Sequence, residues 1–333
     1  MMLQQHVLEG FKGKHVIVIG DAVADQFLAG TISRVSREAP VFILRHDETI
    51  TLPGAAANAA ANVAALGGEV TLFGFCGADA NGSALRSSLG ERQVNDGLLD
   101  VPGFSTTTKV RVLAGNSYAT RQQVIRIDYE EGTAIGDEHR LALMREFSKA
   151  VDTADAIIVS DYGCGVVSPE IFKAIKHAAD DRDIPLVIDS RHRLEQFAGA
   201  ISATPNREEV EQILGSDFTE DDCSKLRGRM ALKALLVTNG NQGMTLFEAD
   251  KAPVKIPAVG STEPVDVTGA GDTVIATYAL GLAAGMSFRE AADVANHAGG
   301  IVVMKKGTAT VTTEELVHSL NSTADQASLA TTK

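Results

Sequence analysis

The 333-residue sequence has no tryptophan, only 3 cysteines and 9 prolines, and just 5% aromatic residues. Cys76, Cys164 and Cys223 are odd in number and far apart, with no CxxC pair and no histidine at ligand spacing. Neither a disulfide framework nor a structural zinc site is therefore available, and all three read as reduced, buried thiols. Positive charge is also scarce: 30 Lys+Arg stand against 43 Asp+Glu, a net charge of −13. A nucleic-acid duplex or an anionic membrane surface would meet mostly repulsion, so neither is an expected partner. No apolar run reaches the roughly 18 residues of a membrane span. The first residues carry no basic segment followed by a long apolar one, and the chain reads as cytoplasmic.

What the sequence does have is glycine, 31 residues of it, within an ordinary globular balance of 44% hydrophobic and 22% charged residues. Such glycine content suits tight turns and backbone amides that handle a ligand. The segment His15–Gly20 (HVIVIG) is a short β-branched run ending in glycine and predicts a buried strand. Val70–Gly74, Ala156–Ser160, Leu186–Asp189 and Leu235–Thr238 repeat that pattern, separated by amphipathic segments such as Pro169–Ala179. This alternation predicts an α/β fold, a mostly parallel central sheet with helices on both faces. The alanine-rich stretch Gly54–Leu66 predicts a closely packed helix. The residues Phe27–Ile50, with Pro40, read as strands outside the main sheet. Thr106–Arg111 and Gln123–Tyr129 read as a strand pair bracketing a polar loop, and together with Phe27–Ile50 they predict a small second layer. Helices are expected over Gly271–Ala284 and Phe288–Val303. No linker is visible, so residues 1–321 read as one domain, with lid strands within 27–50 and 106–129, followed by a polar tail over 322–333 that is expected to fray.

Chemistry concentrates at PVDVTGAGDT, Pro264–Thr273, which runs directly into the apolar stretch from Val274. The glycines allow successive N–H groups to face one concavity at a helix N-terminus, a cradle for a phosphate. A carboxylate beside a phosphate adds repulsion unless it has a proton to take, which gives Asp272 the role of general base toward an attacking hydroxyl. The same residues also satisfy a simple helix cap, and the motif alone does not separate the two. The chain contains no GxxxxGK[ST]. Val274 stands where a dinucleotide-binding fingerprint places its last Gly or Ala, which counts against a dehydrogenase.

DVTGAGDT, taken with PGAAANAAANVAALGG near the N-terminus, resembles the two signatures of the ribokinase (PfkB) family of sugar kinases, and the order of elements fits that fold across nearly the whole chain. TPNREEV resembles the family's NxxE motif, and TNGNQG its nucleotide-phosphate loop. The resemblance implies a ribokinase-like fold with a small β-sheet lid, ATP and magnesium as cofactors, and a sugar or sugar-phosphate substrate; a monovalent-ion requirement stays open. It implies Asp272 as base and the amides of Gly269, Ala270 and Gly271 as an anion hole, with Asp266 and Thr268 flanking the triphosphate. Thr238, Gly240, Gly243 and Asn296 fall on the nucleotide side. Asn206 and Glu209 would organise magnesium through water, although a lone Asn-x-x-Glu is also a plain helix start. Asp21, Asp25, Gly54 and Asn58 match the sugar-binding end.

Within the family the likeness is greatest to kinases acting on the anomeric hydroxyl of heptose 7-phosphate, carried by TISRVSREAPV, TTKVRV, VIRIDYEE and SDYGCG. On that resemblance the chain, ending near Lys333, would be a stand-alone kinase without the nucleotidyltransferase domain that many such relatives carry. Two departures stand near the substrate: Ser190–Arg193 where a Lys-Gly follows the aspartate, and Cys164 where lysine is frequent. In an acidic chain, Arg34, Arg37, Arg45, Lys109, Arg111, Arg121 and Arg126 gather in the two lid segments. Lys109 and Arg111 share one strand face, which predicts a phosphate site on the substrate. Exposed lid edges predict pairing with a second copy as a homodimer. Another kinase of this fold, acting on fructose, ribose, a nucleoside or a deoxy-keto acid, and a non-catalytic sugar- or nucleotide-binding protein are the alternatives.

Overall fold

The computed structural model describes residues 3–115, 121–130, 135–261 and 263–331, with 324–331 as backbone alone. The strands are β1 (His15–Gly20), β2 (Ala22–Val35), β3 (Phe42–Ala55), β4 (Glu69–Cys76), β5 (Asn95–Asp100), β6 (Thr108–Gly115) and β7 (Gln122–Tyr129), then β8 (Ala156–Asp161), β9 (Leu186–Ser190), β10 (Ser202–Ala203), β11 (Ala234–Thr238), β12 (Met244–Glu248) and β13 (Val254–Ile256). Nine of them form one sheet in the order β13-β12-β11-β10-β9-β8-β1-β4-β5. It is parallel from β11 to β5, and only β12 and β13 run antiparallel to their neighbours.

Side-chain alternation along β1 divides the interior. Val16 and Val18 join a cluster with helix residues such as Ala57, Tyr278 and Ala295, whereas Ile17 and Ile19 join a second cluster with Phe147, Phe172 and Leu226. Both faces of the sheet are thus covered, the condition under which parallel strands read as continuous apolar runs. The edge strand β5 is not legible from sequence because Asn95–Asp100 (NDGLLD) is rich in residues that strands disfavour. The expected helices Gly271–Ala284 and Phe288–Val303 are found within a residue at each end, as Ala270–Ala283 and Phe288–Val302. A helix over Thr313–Thr331 takes in most of the segment read as a separate polar tail.

The second layer is a four-stranded sheet in the order β3-β2-β6-β7. Its strands run longer than the sequence suggested: β2 and β3 are 14 residues each and reach back to the core, pairing Ala22 with Ala55 and Val23 with Gly54. That pairing delays the alanine-rich helix to Ala56–Ala65. Residues 116–120, within the polar loop between β6 and β7, lie outside the described residues, as do 131–134. Among the described residues no helix is long and apolar enough to cross a membrane.

Candidate active site

The start of the helix Ala270–Ala283 lines two cavities. Gly269, its N-cap, has φ 76° and no side-chain cap, and a Cβ there would come 2.4 Å from Asn58 Nδ2, so only glycine fits. The Ala270 amide already donates to Val267 O, at 3.2 Å, so the anion hole expected from Gly269, Ala270 and Gly271 is narrower. Helix geometry leaves the Gly271 and Asp272 amides without intrahelical partners. A Cβ on Gly271 would meet nothing within 4 Å, which keeps the helix start open on that side.

Asp272 is buried and held at both oxygens. Asn58 Nδ2 donates to Oδ2 at 2.9 Å, and the Tyr162 hydroxyl donates to Oδ1 at 2.7 Å. Burial raises its pKa from 3.8 to about 6 against these two donors, a direction that makes the carboxylate a stronger proton acceptor. The Asn58 amide is itself oriented: Asn62 Nδ2 donates to Asn58 O at 3.0 Å and to its Oδ1 at 3.3 Å, so the Asn58 NH₂ faces Asp272. Tyr162 stays a hydroxyl because burial and the Asp272 charge push its pKa well up. Tyr162 was not singled out from the sequence. It lies in SDYGCG, directly after β8, and the end of a parallel strand was the available signal.

Asp272 opens into a polar cavity of about 260 Å³ whose cations are Lys109, Arg111, Arg126 and Arg191. Two of them flank the Tyr162 ring, with Lys109 Nζ 5.9 Å and Arg191 Cζ 4.9 Å from its centroid. Lys109 pairs with Glu130 at 3.2 Å, Arg126 with Asp128 at 2.9 Å, and the buried Arg111 with the buried Asp25. Burial raises the Asp25 pKa although Arg111 opposes the rise. Of the seven lid cations, Arg34, Arg37 and Arg45 are exposed and off the cavity, and Arg121 is tied to Asp47 and Glu48. The phosphate site expected from the whole cluster therefore narrows to three, and Arg111 is largely engaged. Gly54 admits the Asp25 carboxylate: a Cβ there would stand 2.7 Å from Oδ2. Gly54 and Asp25 thus belong to one contact, and Gly54 holds no ligand by its side chain.

Asp21, expected at the sugar, is instead a brace. It is 1% exposed, and its oxygens accept the amides of Tyr162 (2.7 Å), Cys164 (3.0 Å) and Val166 (3.2 Å). Those bonds fix the loop that carries Tyr162. Cys164 in that loop is half-buried, unlike Cys76 and Cys223. Asp266 also serves the backbone, accepting from the Thr268 and Gly307 amides at 2.9 Å each; these donors outweigh burial and hold its pKa below the usual range. Only Thr268 of that pair lines the cavity.

The helix start also borders an apolar cavity of about 180 Å³, lined by Thr238, Gly240, Gly243, Val274, Asn296 and Gly299 together with Ala270 and Gly271. The four nucleotide-side residues expected there are brought together. Asn296 Nδ2 donates to Pro257 O at 2.7 Å and steadies the wall. Asn206 and Glu209 form a reciprocal capping box, Glu209 N to Asn206 Oδ1 at 2.9 Å and Asn206 N to Glu209 Oε2 at 2.8 Å. A parallel bridge from Asn206 to Thr238 ties this turn to the cavity rim. Glu209 bears on Asp189 electrostatically: burial first, then the Glu209 charge, pushes the Asp189 pKa well up. Burial likewise raises that of Glu209.

Residues 14–315 match the pfkB family carbohydrate kinases. The chain belongs to that family. As a pfkB carbohydrate kinase it is a phosphotransferase with an alcohol acceptor. It is 42% identical over 324 residues to the bifunctional protein HldE of Nitrosococcus oceani, covering 95% of this chain and 66% of that protein. HldE of Gluconobacter oxydans is 38% identical over 322 residues, with 94% and 66% covered. The chain thus spans just under two thirds of the length of these relatives. In fold it matches a ribokinase of Arabidopsis thaliana complexed with ribose and ATP (TM-score 0.70, 21% identity, 92% and 99% covered). Phosphofructokinase-2 of Escherichia coli, in complex with potassium, matches similarly (TM-score 0.73, 18% identity, 93% and 99% covered).

Proposed function

We propose that this pfkB kinase transfers the γ-phosphoryl group of ATP to the anomeric hydroxyl of a seven-carbon sugar 7-phosphate, the reaction implied by its likeness to heptose-phosphate kinases. One observation carries the reading: a buried carboxylate with a pKa of about 6 stands where an apolar cavity and a cationic cavity meet at an open helix start. The apolar cavity suits an adenine ring, and the cationic one suits a polyhydroxylated anion. Asp272 takes the proton of the attacking hydroxyl while the Gly271 and Asp272 amides meet the charge on the phosphoryl oxygens. Lys109 and Arg126, with Arg111 behind them, face the phosphate already on the sugar. Residues 1–321 act as one catalytic unit, in the cytoplasm where ATP is supplied.

Glu209, with Asp189 near enough for their charges to bear on each other, would hold magnesium, since a bound cation would offset the cost of two carboxylates that burial disfavours as anions. Among the described residues no group of three or more His, Cys, Asp or Glu is arranged as a metal cage. The remaining ligands would be waters and phosphates, the coordination this ion favours. When bound, the ion neutralises phosphate charge during transfer.

The internal pairing of Lys109 and Arg111 favours a second reading, a kinase for an unphosphorylated sugar such as fructose or ribose. Coupled ADP-release assays across phosphorylated and unphosphorylated sugars decide between them; a preference for the unphosphorylated series overturns the first. The lid also exposes Phe42, Ile50, Val124, Ile125, Ile127 and Tyr129. We infer that these strands pair with a second copy, so light scattering at micromolar protein should give twice the 35.0 kDa chain mass.

A further inference from the structure

Four cations line the Asp272 cavity, and three carry an ion pair within the chain: Lys109 with Glu130, Arg111 with Asp25, Arg126 with Asp128. Arg191 differs. Among the described residues its guanidinium has no hydrogen bond and no carboxylate at ion-pair distance; its contact is the Tyr162 ring, 4.9 Å away. An aromatic face holds a guanidinium in place without using its N–H donors, so its planar fork stays available for an anion. Lys109, Arg111 and Arg126 project from the lid strands β6 and β7, whereas Arg191 follows β9 on the core, two residues beyond Asp189. Its charge bears on Asp272 on one side and on Asp189 and Glu209 on the other. The space between the base and the metal-side carboxylates is the space the transferred group must cross.

We propose that Arg191 is a further catalytic residue: its guanidinium contacts the phosphoryl group as it passes from ATP to the sugar hydroxyl and stabilises the negative charge on its equatorial oxygens. The group leaves the ADP oxygen and bonds to the sugar oxygen, Asp272 takes the hydroxyl proton, and Arg191 exchanges none. The Tyr162 ring serves as its platform, so one side chain steadies both the base and the cation. This inference rests on the kinase reading above, and its test separates the two.

Arg191→Met and Arg191→Lys should be assayed with the preferred sugar, beside binding of ADP and of ADP with aluminium fluoride, a mimic of the group in transfer. Arginine on a transferring phosphoryl is worth 10³–10⁵ in kcat, so Arg191→Met is expected to lose on the order of 10³. KM for the sugar and affinity for ADP should stay within about threefold, and sugar-dependent tightening by aluminium fluoride should vanish. Arg191→Lys keeps the charge but not the fork, and should lose on the order of tenfold in kcat with an unchanged melting temperature. Wild-type kcat in Arg191→Lys overturns the proposal should Arg191→Met not fold. So does Arg191→Met with unchanged kcat, or with a raised KM for the phosphorylated sugar alone, which would assign Arg191 to the substrate's own phosphate. A wild-type protein that releases no ADP with any sugar overturns the kinase reading itself, and this inference with it.

Discussion

The two cavities that share the start of helix Ala270–Ala283 are built on opposite principles. The one bounded by Thr238, Asn296 and Gly299 is apolar, shaped by close-packed backbone and small side chains. The one around Asp272 holds two aspartates and four cations, most of them internally paired. An apolar slot tolerates change by degrees, since each lost contact is small. A buried network of charges does not, because removing one partner strands the other in a poorly solvating place. Chemistry and substrate choice should therefore fail abruptly on the charged side and gradually on the apolar side.

The largest expected contrast is at Asp272. Asp272→Asn should lower kcat by 10²–10⁴, the usual worth of a positioned base, while ATP titration remains near wild type. A pKa raised from 3.8 to about 6 means that the folded state holds its proton more tightly than the unfolded chain, so stability falls as pH rises through that window. At 1.36 kcal/mol per pH unit, the ionised carboxylate costs about 3 kcal/mol above pH 6. Asp272→Asn should thus melt no lower than wild type at pH 8, with the advantage fading toward pH 4, and wild-type kcat/KM should fall as pH drops below about 6. A variant with half the wild-type turnover, or a flat rate down to pH 5, removes the base assignment.

Next in size is the Arg111–Asp25 pair. Arg111→Met leaves a buried carboxylate uncompensated and should destabilise by about 3–5 kcal/mol, and adding Asp25→Asn should restore much of the loss. Chemical denaturation of both variants checks this; an additive double variant would mean that the pair is not coupled. Lys109→Met is milder, since its pair is at the cavity mouth. A KM increase of about tenfold for a sugar phosphate, against none for its unphosphorylated counterpart, would correspond to roughly 1.4 kcal/mol of phosphate binding. Equal effects on both substrates would assign Lys109 to the Tyr162 ring alone. The smallest effect belongs to the apolar side: Asn296→Ala frees the Pro257 carbonyl and should raise KM for ATP only severalfold, with KM for the sugar unchanged. A collapse of kcat in that variant would erase the contrast between the cavities.

Much of the frame was legible from sequence because parallel strands buried on both faces announce themselves as apolar runs, as His15–Gly20 does. The glycine-rich turn before Asp272 was legible for a different reason, since few residues tolerate φ 76° beside a buried asparagine. What composition and spacing could not convey was how charges are divided. Asp21 and Asp266 look like ligands, yet their oxygens are spent on backbone amides, and seven lid cations look like one patch although four of them lie elsewhere or pair outside it. Hydrogen-bond partners of this kind depend on loops that meet from distant parts of the chain, as residues 162–166 meet Asp21. Tyr162 in SDYGCG and Arg191 in the departure at Ser190–Arg193 were both in view, but each lies just past a strand end, where spacing alone does not reveal its partner.

Through β2 and β3 the small sheet joins the core with almost no intervening loop. β2 begins two residues after β1 ends, and β3 passes into the helix Ala56–Ala65 with no intervening loop. At that join Ala55 sits at φ 54°, an awkward angle for a residue with a side chain, and three residues later comes Asn58, which grips Asp272. A displacement of β3 at this join would therefore bear directly on the helix whose Asn58 holds the Asp272 carboxylate. Lid and core are consequently not interchangeable modules. A hairpin transplanted from a cousin would bring its own curvature to the Ala55 joint and disturb the aim of the carboxylate, so a new acceptor is better sought by replacing single side chains along β6 and β7 than by grafting.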